Sequence, residues 1–147
     1  LSIECWFNPS SIHNGRLIER MESGTIPGFS LGLGSDGYIA AEVIDTVGES
    51  VQLQGGNYST NSWNYAAFTY ESSEGRLKLY LNGRQILEDT NSSMSSSFNS
   101  NAIVTIGRHL PTTSEYFNGL IGAIKVSSKV RSSSEIFNYY KGANIKE

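Results

Sequence analysis

Short runs of alternating apolar and polar residues, separated by glycine, asparagine, aspartate and serine, make up most of this chain. In SIECWFN, Ile3, Cys5 and Phe7 share one side, because successive side chains of a strand point to opposite faces. The same kind of pattern recurs in RLIERME, GFSLGL, YIAAEVI, VQLQ, WNYAAFTY, RLKLYL, RQILE, AIVTIG and FNGLIGAIKV. It predicts a chain built mainly of short β-strands.

Two tight turns indicate which strands pair. Gly37 in SDG can take a positive φ angle without steric cost, which predicts a hairpin between GFSLGL and YIAAEVI. Asn82-Gly83 is the pair best suited to a type I′ turn, so RQILE is predicted to return antiparallel to RLKLYL. The polar segment 90–101 is predicted to be a long mobile loop.

One helix is predicted near the C-terminus. Ser132 and Glu135 have the spacing of a capping box, and Ile136, Tyr139 and Tyr140 share one side of the helix. This helix is expected to lie over one end of the sheets. Many short strands with a single helix predict an all-β fold, a two-sheet antiparallel jelly-roll sandwich with one short C-terminal helix.

Composition narrows the choice of partner. The 147 residues carry a formal net charge of −3 and 17% of them are charged, so nucleic acid is not an expected partner. The sequence lacks the ~18–20 consecutive apolar residues that a membrane-spanning helix needs, so membrane insertion is not expected either. The single cysteine, Cys5, is predicted to be a small buried hydrophobic residue.

The order of five motifs resembles a known family. SIECWFNP, SWNYAAFTYESSEGRLKLYLNGRQI, IVTIGR, YFNGLIGAIKV and SSSEI follow one another as in laminin-G-like and pentraxin-like domains of the concanavalin A-like jelly rolls. The similarity spans nearly the whole chain, and residues 1–147 are predicted to form a single domain. Members of the family usually carry one more strand before the equivalent of SIECWF, so this chain is expected to lack that strand and to be part of a longer protein.

The resemblance implies two curved sheets, an exposed concave face and rim loops with a role in binding or adhesion. It also makes calcium a candidate cofactor, held by acidic and amide groups in two rim loops. The matching positions lie around Glu22 to Pro27 and from Arg108 to Tyr116, where Glu22 and Glu115 are the acidic residues. Calcium takes about 6–8 oxygen ligands, several of them carboxylate, so these two residues are few for such a site.

Catalysis is not predicted, although the superfamily includes glycoside hydrolases. A retaining hydrolase needs two carboxylates about 5 to 5.5 Å apart, which on one strand means acidic residues two positions apart. The nearest acidic cluster is EVIDTVGE, where Glu42 and Asp45 point to opposite faces and Glu49 follows a turn. These acids are predicted to be solvated surface groups. His13 and His109 lie in separate polar loops without metal-ligand spacing.

The aromatic residues are divided between core and surface. Phe68 and Tyr70 share the side of Ala66 and are predicted to point into the core, and Trp63 is predicted to be structural. Tyr65 and Tyr80 alternate with such positions and are candidates for an exposed face.

Two loops offer Tyr rings beside hydrogen-bonding groups, the combination that a sugar site requires. GGNYSTNSW is the first loop, and RHLPTTSEYFN is the second. We predict a shallow site where these loops meet at one rim. The candidate ligand-binding residues are Asn57, Tyr58, Asn61, Tyr65, Arg108, His109, Tyr116 and Asn118.

Two functions are compatible with these features. The first is a noncatalytic carbohydrate-binding or adhesion module of a larger extracellular, cell-surface or virion protein, with a glycan or glycoprotein surface as its partner. The second is a structural or protein-interaction domain, such as a viral capsid or tail decoration or a spacer in an adhesin, with neighbouring protein subunits as partners. A glycoside hydrolase is a distant third.

Overall fold

The computed structural model describes residues 1–21, 28–94, 102–110 and 114–143. These residues form ten strands and one helix, in the order β1 (Ser2–Pro9), β2 (Gly15–Arg20), β3 (Gly28–Leu33), β4 (Tyr38–Ile44), β5 (Ser50–Asn57), β6 (Asn64–Glu71), β7 (Arg76–Leu81), β8 (Arg84–Thr90), β9 (Val104–Ile106), β10 (Gly119–Ser127) and α1 (Ser133–Ala143). Residues 95–101 lie outside the described part, so the predicted loop over 90–101 remains largely a prediction.

The strands form two five-stranded antiparallel sheets. Sheet 1 has the order β10-β1-β6-β7-β8, and sheet 2 has the order β5-β4-β3-β2-β9. Alternate residues of both sheets fill the space between them, including Ile3, Cys5, Phe7, Leu31, Val43, Phe68 and Leu79. The predicted jelly-roll sandwich is therefore confirmed. Cys5 is fully buried as expected, and burial raises the pKa of its thiol to about 12.

The predicted Asn-Gly turn is present between β7 and β8. Asn82 has a φ angle of 49° and Gly83 one of 78°, and the two strands pair antiparallel. Both positive φ angles belong to a type I′ turn, which matches the twist of the flanking strands. A Cβ atom at Gly83 would also lie 2.7 Å from Cδ1 of Tyr140, so this glycine lets the helix approach the hairpin.

Helix α1 begins with the predicted capping box. The Glu135 amide donates to Ser132 Oγ (3.2 Å), and the Ser132 amide donates to Glu135 Oε2 (2.8 Å). The expected position of the helix over one end of the sheets is wrong. The helix lies on the outer face of sheet 1, where Ile136 packs in a buried cluster with Tyr65, Ala67 and Tyr80.

Burial under the helix also corrects the interpretation of two tyrosines. Tyr65 and Tyr80 face away from the main core as the alternation predicts, but they are 0% and 1% exposed because α1 covers them. The Tyr65 hydroxyl donates to Glu4, a buried carboxylate that also accepts a hydrogen bond from Arg131. Within the described residues, no helix has the length and apolar character needed to cross a bilayer.

Trp63 departs from its predicted structural role. Trp63 precedes the strand, which begins at Asn64, and its side chain is 49% exposed. One edge of the indole lies over β10, where a Cβ atom at Gly122 would be 3.1 Å from Cζ3. Trp63 is therefore a surface residue with one side packed on the sheet, whereas Phe68 is fully buried as predicted.

Candidate functional site

The outer face of sheet 2 carries a row of polar side chains, one from each strand. Register pairing places Thr105, Glu19, Ser30, Glu42 and Gln52 side by side on β9, β2, β3, β4 and β5. The core residues Leu31, Val43 and Val51 alternate with Ser30, Glu42 and Gln52, so this row faces outward. Exposure increases along the row, since Glu19 is 0% exposed, Glu42 is half-buried and Gln52 is exposed.

The neighbouring row contains small residues that leave room for one long side chain. Arg16, Gly32, Ala40 and Gln54 are register partners on β2, β3, β4 and β5. A Cβ atom at Gly32 would lie 3.3 Å from Cδ of Arg16, which shows that the arginine stem crosses over this glycine. The arginine stem thus covers Gly32, and Ala40 beside it is partly exposed.

Arg16 belongs to a charged network centred on Glu19. Arg16 Nε donates to Glu19 Oε2 (2.9 Å), and His109 Nδ1 lies 2.8 Å from Glu19 Oε1. Arg16 Nη2 also lies 2.9 Å from Glu115 Oε2 and forms an ion pair with it, although the two groups are not aligned for a hydrogen bond. A buried carboxylate is tolerated when it is paired in this way. We call Arg16, Glu19, His109 and Glu115 the Glu19 network.

Two acidic residues differ from their predicted role as solvated surface groups. Asp45 is 0% exposed, and its Oδ1 accepts hydrogen bonds from the amides of Val47 (3.0 Å) and Glu49 (2.9 Å), so it holds a turn. Glu42 is half-buried on the sheet. Burial raises the pKa of Glu42, while Arg16 lowers it and Glu19 raises it.

The two predicted rim loops lie on either side of His13. Tyr58, in the loop after β5, accepts a hydrogen bond at its hydroxyl from the His13 amide (3.3 Å). Asn118, in the loop before β10, donates its amide hydrogen to His13 Nε2 (2.9 Å). The loops therefore belong to one end of the sandwich, with the β1–β2 connection between them.

Most of the predicted rim residues are accessible, and two are not. Five of the eight candidates have exposed side chains, namely Asn57, Asn61, Arg108, Tyr116 and Asn118. His109 is partly exposed and faces Glu19. The proposed exposure of Tyr58 and Tyr65 is wrong, because Tyr58 packs edge-on against Phe7 in the core and Tyr65 lies under α1.

The described residues do not fit a calcium site at the predicted loops. Glu115 is engaged by Arg16, and Glu22 lies outside the described residues. Across the ranges that the structure describes, no group of three or more His, Cys, Asp or Glu side chains could hold a metal ion.

Strand alternation does not predict that Arg16 and Glu19 lie together, for a geometric reason. Residues three apart on a regular strand point to opposite faces, so Arg16 and Glu19 would be separated by the sheet. A register shift between Arg16 and Ile18 adds one residue to β2 and brings both side chains to the outer face. The sequence does carry a signal of this bulge, because the adjacent apolar residues Leu17 and Ile18 break the alternation of RLIER and both are buried.

Comparison with solved structures finds the same fold in binding domains. The CBM40 domain of the Ruminococcus gnavus IT-sialidase, bound to α2,3 sialyllactose, superposes with a TM-score of 0.79 at 19% identity over 95% of this chain and 81% of that one. A SAP-like pentraxin from Limulus polyphemus gives 0.72 at 12% identity, covering 95% and 68%. The botulinum neurotoxin serotype D binding domain gives 0.70 at 21% identity, covering 99% and 36%.

Sequence comparison identifies the family. A search of curated proteins gave no match. A laminin-G-type family model, described as the concanavalin A-like lectin/glucanases superfamily, matches residues 1–137. This match covers most of the chain and agrees with the two-sheet sandwich. The chain therefore belongs to the concanavalin A-like lectin/glucanases superfamily.

Proposed function

We propose that this chain is a noncatalytic carbohydrate-binding or adhesion module, and that it binds glycan on the outer face of sheet 2. The observation that carries the proposal is the Glu19 network next to the accessible side chains of Glu42, Gln52 and Gln54. The helix covers the corresponding face of sheet 1, whereas Glu42, Gln52 and Gln54 on this face are partly or fully exposed among the described residues. The CBM40 structure bound to sialyllactose supports a glycan as the type of ligand.

The geometry suits sugar hydroxyl groups. Arg16 and His109 are held by Glu19, so ordering them costs little further conformational entropy when a ligand binds. Gln52 and Gln54 add exposed amides that both donate and accept hydrogen bonds. Tyr38 lies on the same side of β4 as Ala40 and Glu42 and is 38% exposed, so its ring can meet the apolar face of a sugar.

The same contacts favour binding over hydrolysis. Glu19 and Glu42 are register neighbours across β3, yet a hydrolase needs carboxylates that are free to act as acid, base or nucleophile. Both oxygens of Glu19 face Arg16 or His109, and its side chain is inaccessible to solvent. We propose a place for the module in an extracellular, cell-surface or virion protein, where glycans are displayed.

Glycan-array binding followed by titration calorimetry tests the proposal. Tyr38→Ala should weaken binding about tenfold, or ~1.4 kcal/mol, because it removes an exposed ring from the site. Phe137→Ala is the matched control, since Phe137 is 37% exposed on α1, over the other sheet. Absence of any glycan binding at millimolar ligand, or equal effects of the two substitutions, would contradict the proposed site.

Protein interaction is a second candidate function, favoured by apolar side chains along two strand edges. Val104 and Ile106 on β9 are 51% and 57% exposed, and Leu120 and Val126 on β10 are 61% and 58% exposed. In the described structure each strand pairs on one side only, and a cavity of about 470 Å³ lies near these edges.

If a second copy covers this surface, sedimentation should show dimers that Val126→Lys disrupts. A monomer at all concentrations would argue against this second function.

A further inference from the structure

The positive charge of Arg16 is already matched by carboxylates of this chain. Its Nε lies 2.9 Å from Glu19 Oε2, and its Nη2 lies 2.9 Å from Glu115 Oε2. Arginine binds a ligand carboxylate, such as that of sialic acid, best through paired N–H donors, because the fork of the guanidinium matches two carboxylate oxygens. On this face, such a ligand would have to compete with two carboxylates that are held in place by the fold.

Two further carboxylates belong to this face among the described residues. Glu42 adds a half-buried carboxylate beside Arg16 and Glu19. Asp36, in the turn before β4, is held by the side-chain amide of Gln54, which lies in the same row as Arg16. Arg20, the next arginine on β2, lines a cavity together with Leu1 and Phe29 and so lies away from this row.

We infer that the outer face of sheet 2 binds uncharged glycans and discriminates against sialylated ones, an inference that rests on the proposed function. Carboxylates accept hydrogen bonds from sugar hydroxyls, and the amides of Gln52 and Gln54 both donate and accept. The carboxylate of a sialylated glycan bound to this surface would be repelled by the carboxylates of the chain. This repulsion is poorly screened because the site is partly desolvated. The ligand class thus differs from that bound by the similar CBM40 domain, whose structure contains sialyllactose.

Matched glycan pairs test this inference directly. The purified chain is titrated with lactose and 3′-sialyllactose, and with N-acetyllactosamine and its α2,3-sialylated form, while an array samples other neutral glycans and their sialylated counterparts. We expect each sialylated glycan to bind at least about tenfold more weakly than its neutral core. Equal or tighter binding of the sialylated member overturns the inference and leaves the proposed function standing. Failure of every glycan to bind overturns both.

Two variants identify the source of the discrimination. Glu115→Gln removes one counter-charge of Arg16, so the ratio of sialylated to neutral dissociation constants should fall about threefold or more. Glu88→Gln is the matched control, because Glu88 is an exposed carboxylate on β8 of sheet 1 and its loss changes the net charge equally. Equal changes in the two variants would attribute the effect to overall charge and contradict the assignment to this face.

Ionic strength provides an independent measurement on the unmodified chain. Repulsion between a ligand carboxylate and Glu42 or Glu115 weakens as salt shortens the Debye length from ~10 Å at 0.1 M to ~3 Å at 1 M. The discrimination between each glycan pair should therefore shrink as salt rises. A ratio that does not change with salt would indicate that the sialylated glycans are rejected by steric contact, which overturns the electrostatic inference.

Discussion

The outer faces of the two sheets contain the same charged pair in different surroundings. On sheet 1, Glu4 is 1% exposed and is bound by Arg131 and Tyr65 beneath helix α1. On sheet 2, Glu19 is 0% exposed and is bound by Arg16 and His109, with an open surface beside it. The faces differ in what covers the buried carboxylate. On sheet 1 it is covered by a helix, and on sheet 2 by its own partners, an arginine and a histidine.

This comparison separates a structural pair from a candidate binding surface. Arg131 Nη2 also donates to the carbonyl of Glu135 (3.1 Å), so the pair on sheet 1 connects β1 to the first turn of α1. Arg16 and His109 instead lie beside a sheet surface that continues to Glu42 and Gln52. A buried ion pair is weak evidence for stability by itself, and its role depends on the elements that it joins.

Breaking the pair on sheet 1 should have the largest effect. Arg131→Met leaves the Glu4 carboxylate buried under the helix without its cation, which should lower the free energy of unfolding by about 3–5 kcal/mol. Arg16→Met should cost clearly less, because Glu19 keeps His109 as a partner. Urea denaturation of both variants measures the difference.

A double variant controls for the loss of arginine packing. Glu4→Gln combined with Arg131→Met retains an acceptor for the Tyr65 hydroxyl and removes the unpaired charge, so it should recover most of the lost stability. Equal losses for the Arg131 and Arg16 variants would show that the helix does not distinguish the two faces.

The sequence predicts the regular parts of the fold and misses the irregular ones. Alternation and turn residues predict the sandwich, the Asn82-Gly83 hairpin and the capping box at Ser132, because these depend on local geometry. The Glu19 network depends on a bulge in β2 and on a loop that brings His109 to Glu19 across 90 positions. Likewise, the burial of Tyr65 depends on where α1 docks, which alternation does not determine.

Substitutions at two glycines, one on each sheet, test the comparison between the faces and should have intermediate effects on stability. Gly32→Ala would place a Cβ atom 2.7 Å from the carbonyl oxygen of Gly15 and 3.3 Å from Cδ of Arg16, so β2 and Arg16 must both move. We expect a loss of about 1–3 kcal/mol in unfolding free energy together with weaker glycan binding. Urea denaturation and calorimetric titration measure the two effects.

Gly122→Ala is the corresponding change on sheet 1. Its Cβ atom would lie 3.1 Å from Cζ3 of Trp63 and 3.1 Å from Cβ of Trp6, so the half-exposed indole of Trp63 can move aside and Trp6 on β1 must give by a few tenths of an ångström. The cost in stability should be smaller than for Gly32→Ala, and glycan binding should not change. A loss of binding in Gly122→Ala would shift the candidate site toward Trp63.

The smallest effect is a difference in pH dependence between the two faces. On sheet 1, hydrogen bonds from Lys129 and from the Ser132 amide lower the pKa of Glu135 from 4.5 to about 2. The stabilisation from this carboxylate is complete above pH 4.5 and is lost as pH falls toward 2, because the unfolded chain takes up the proton first. The advantage of the parent chain over Glu135→Gln should therefore decrease across this interval in urea titrations at fixed pH values.

Glu42 on sheet 2 should show the opposite sign. Burial raises its pKa above 4.5, so the folded chain binds the proton first and the penalty for the buried charge disappears as pH falls toward 4.5. The parent chain should therefore gain stability relative to Glu42→Gln on acidification from neutral pH. The two variants thus report on different faces over different pH intervals, Glu42 above pH 4.5 and Glu135 below it. If the two differences from the parent changed in the same direction over the same pH interval, the two faces would share one electrostatic environment.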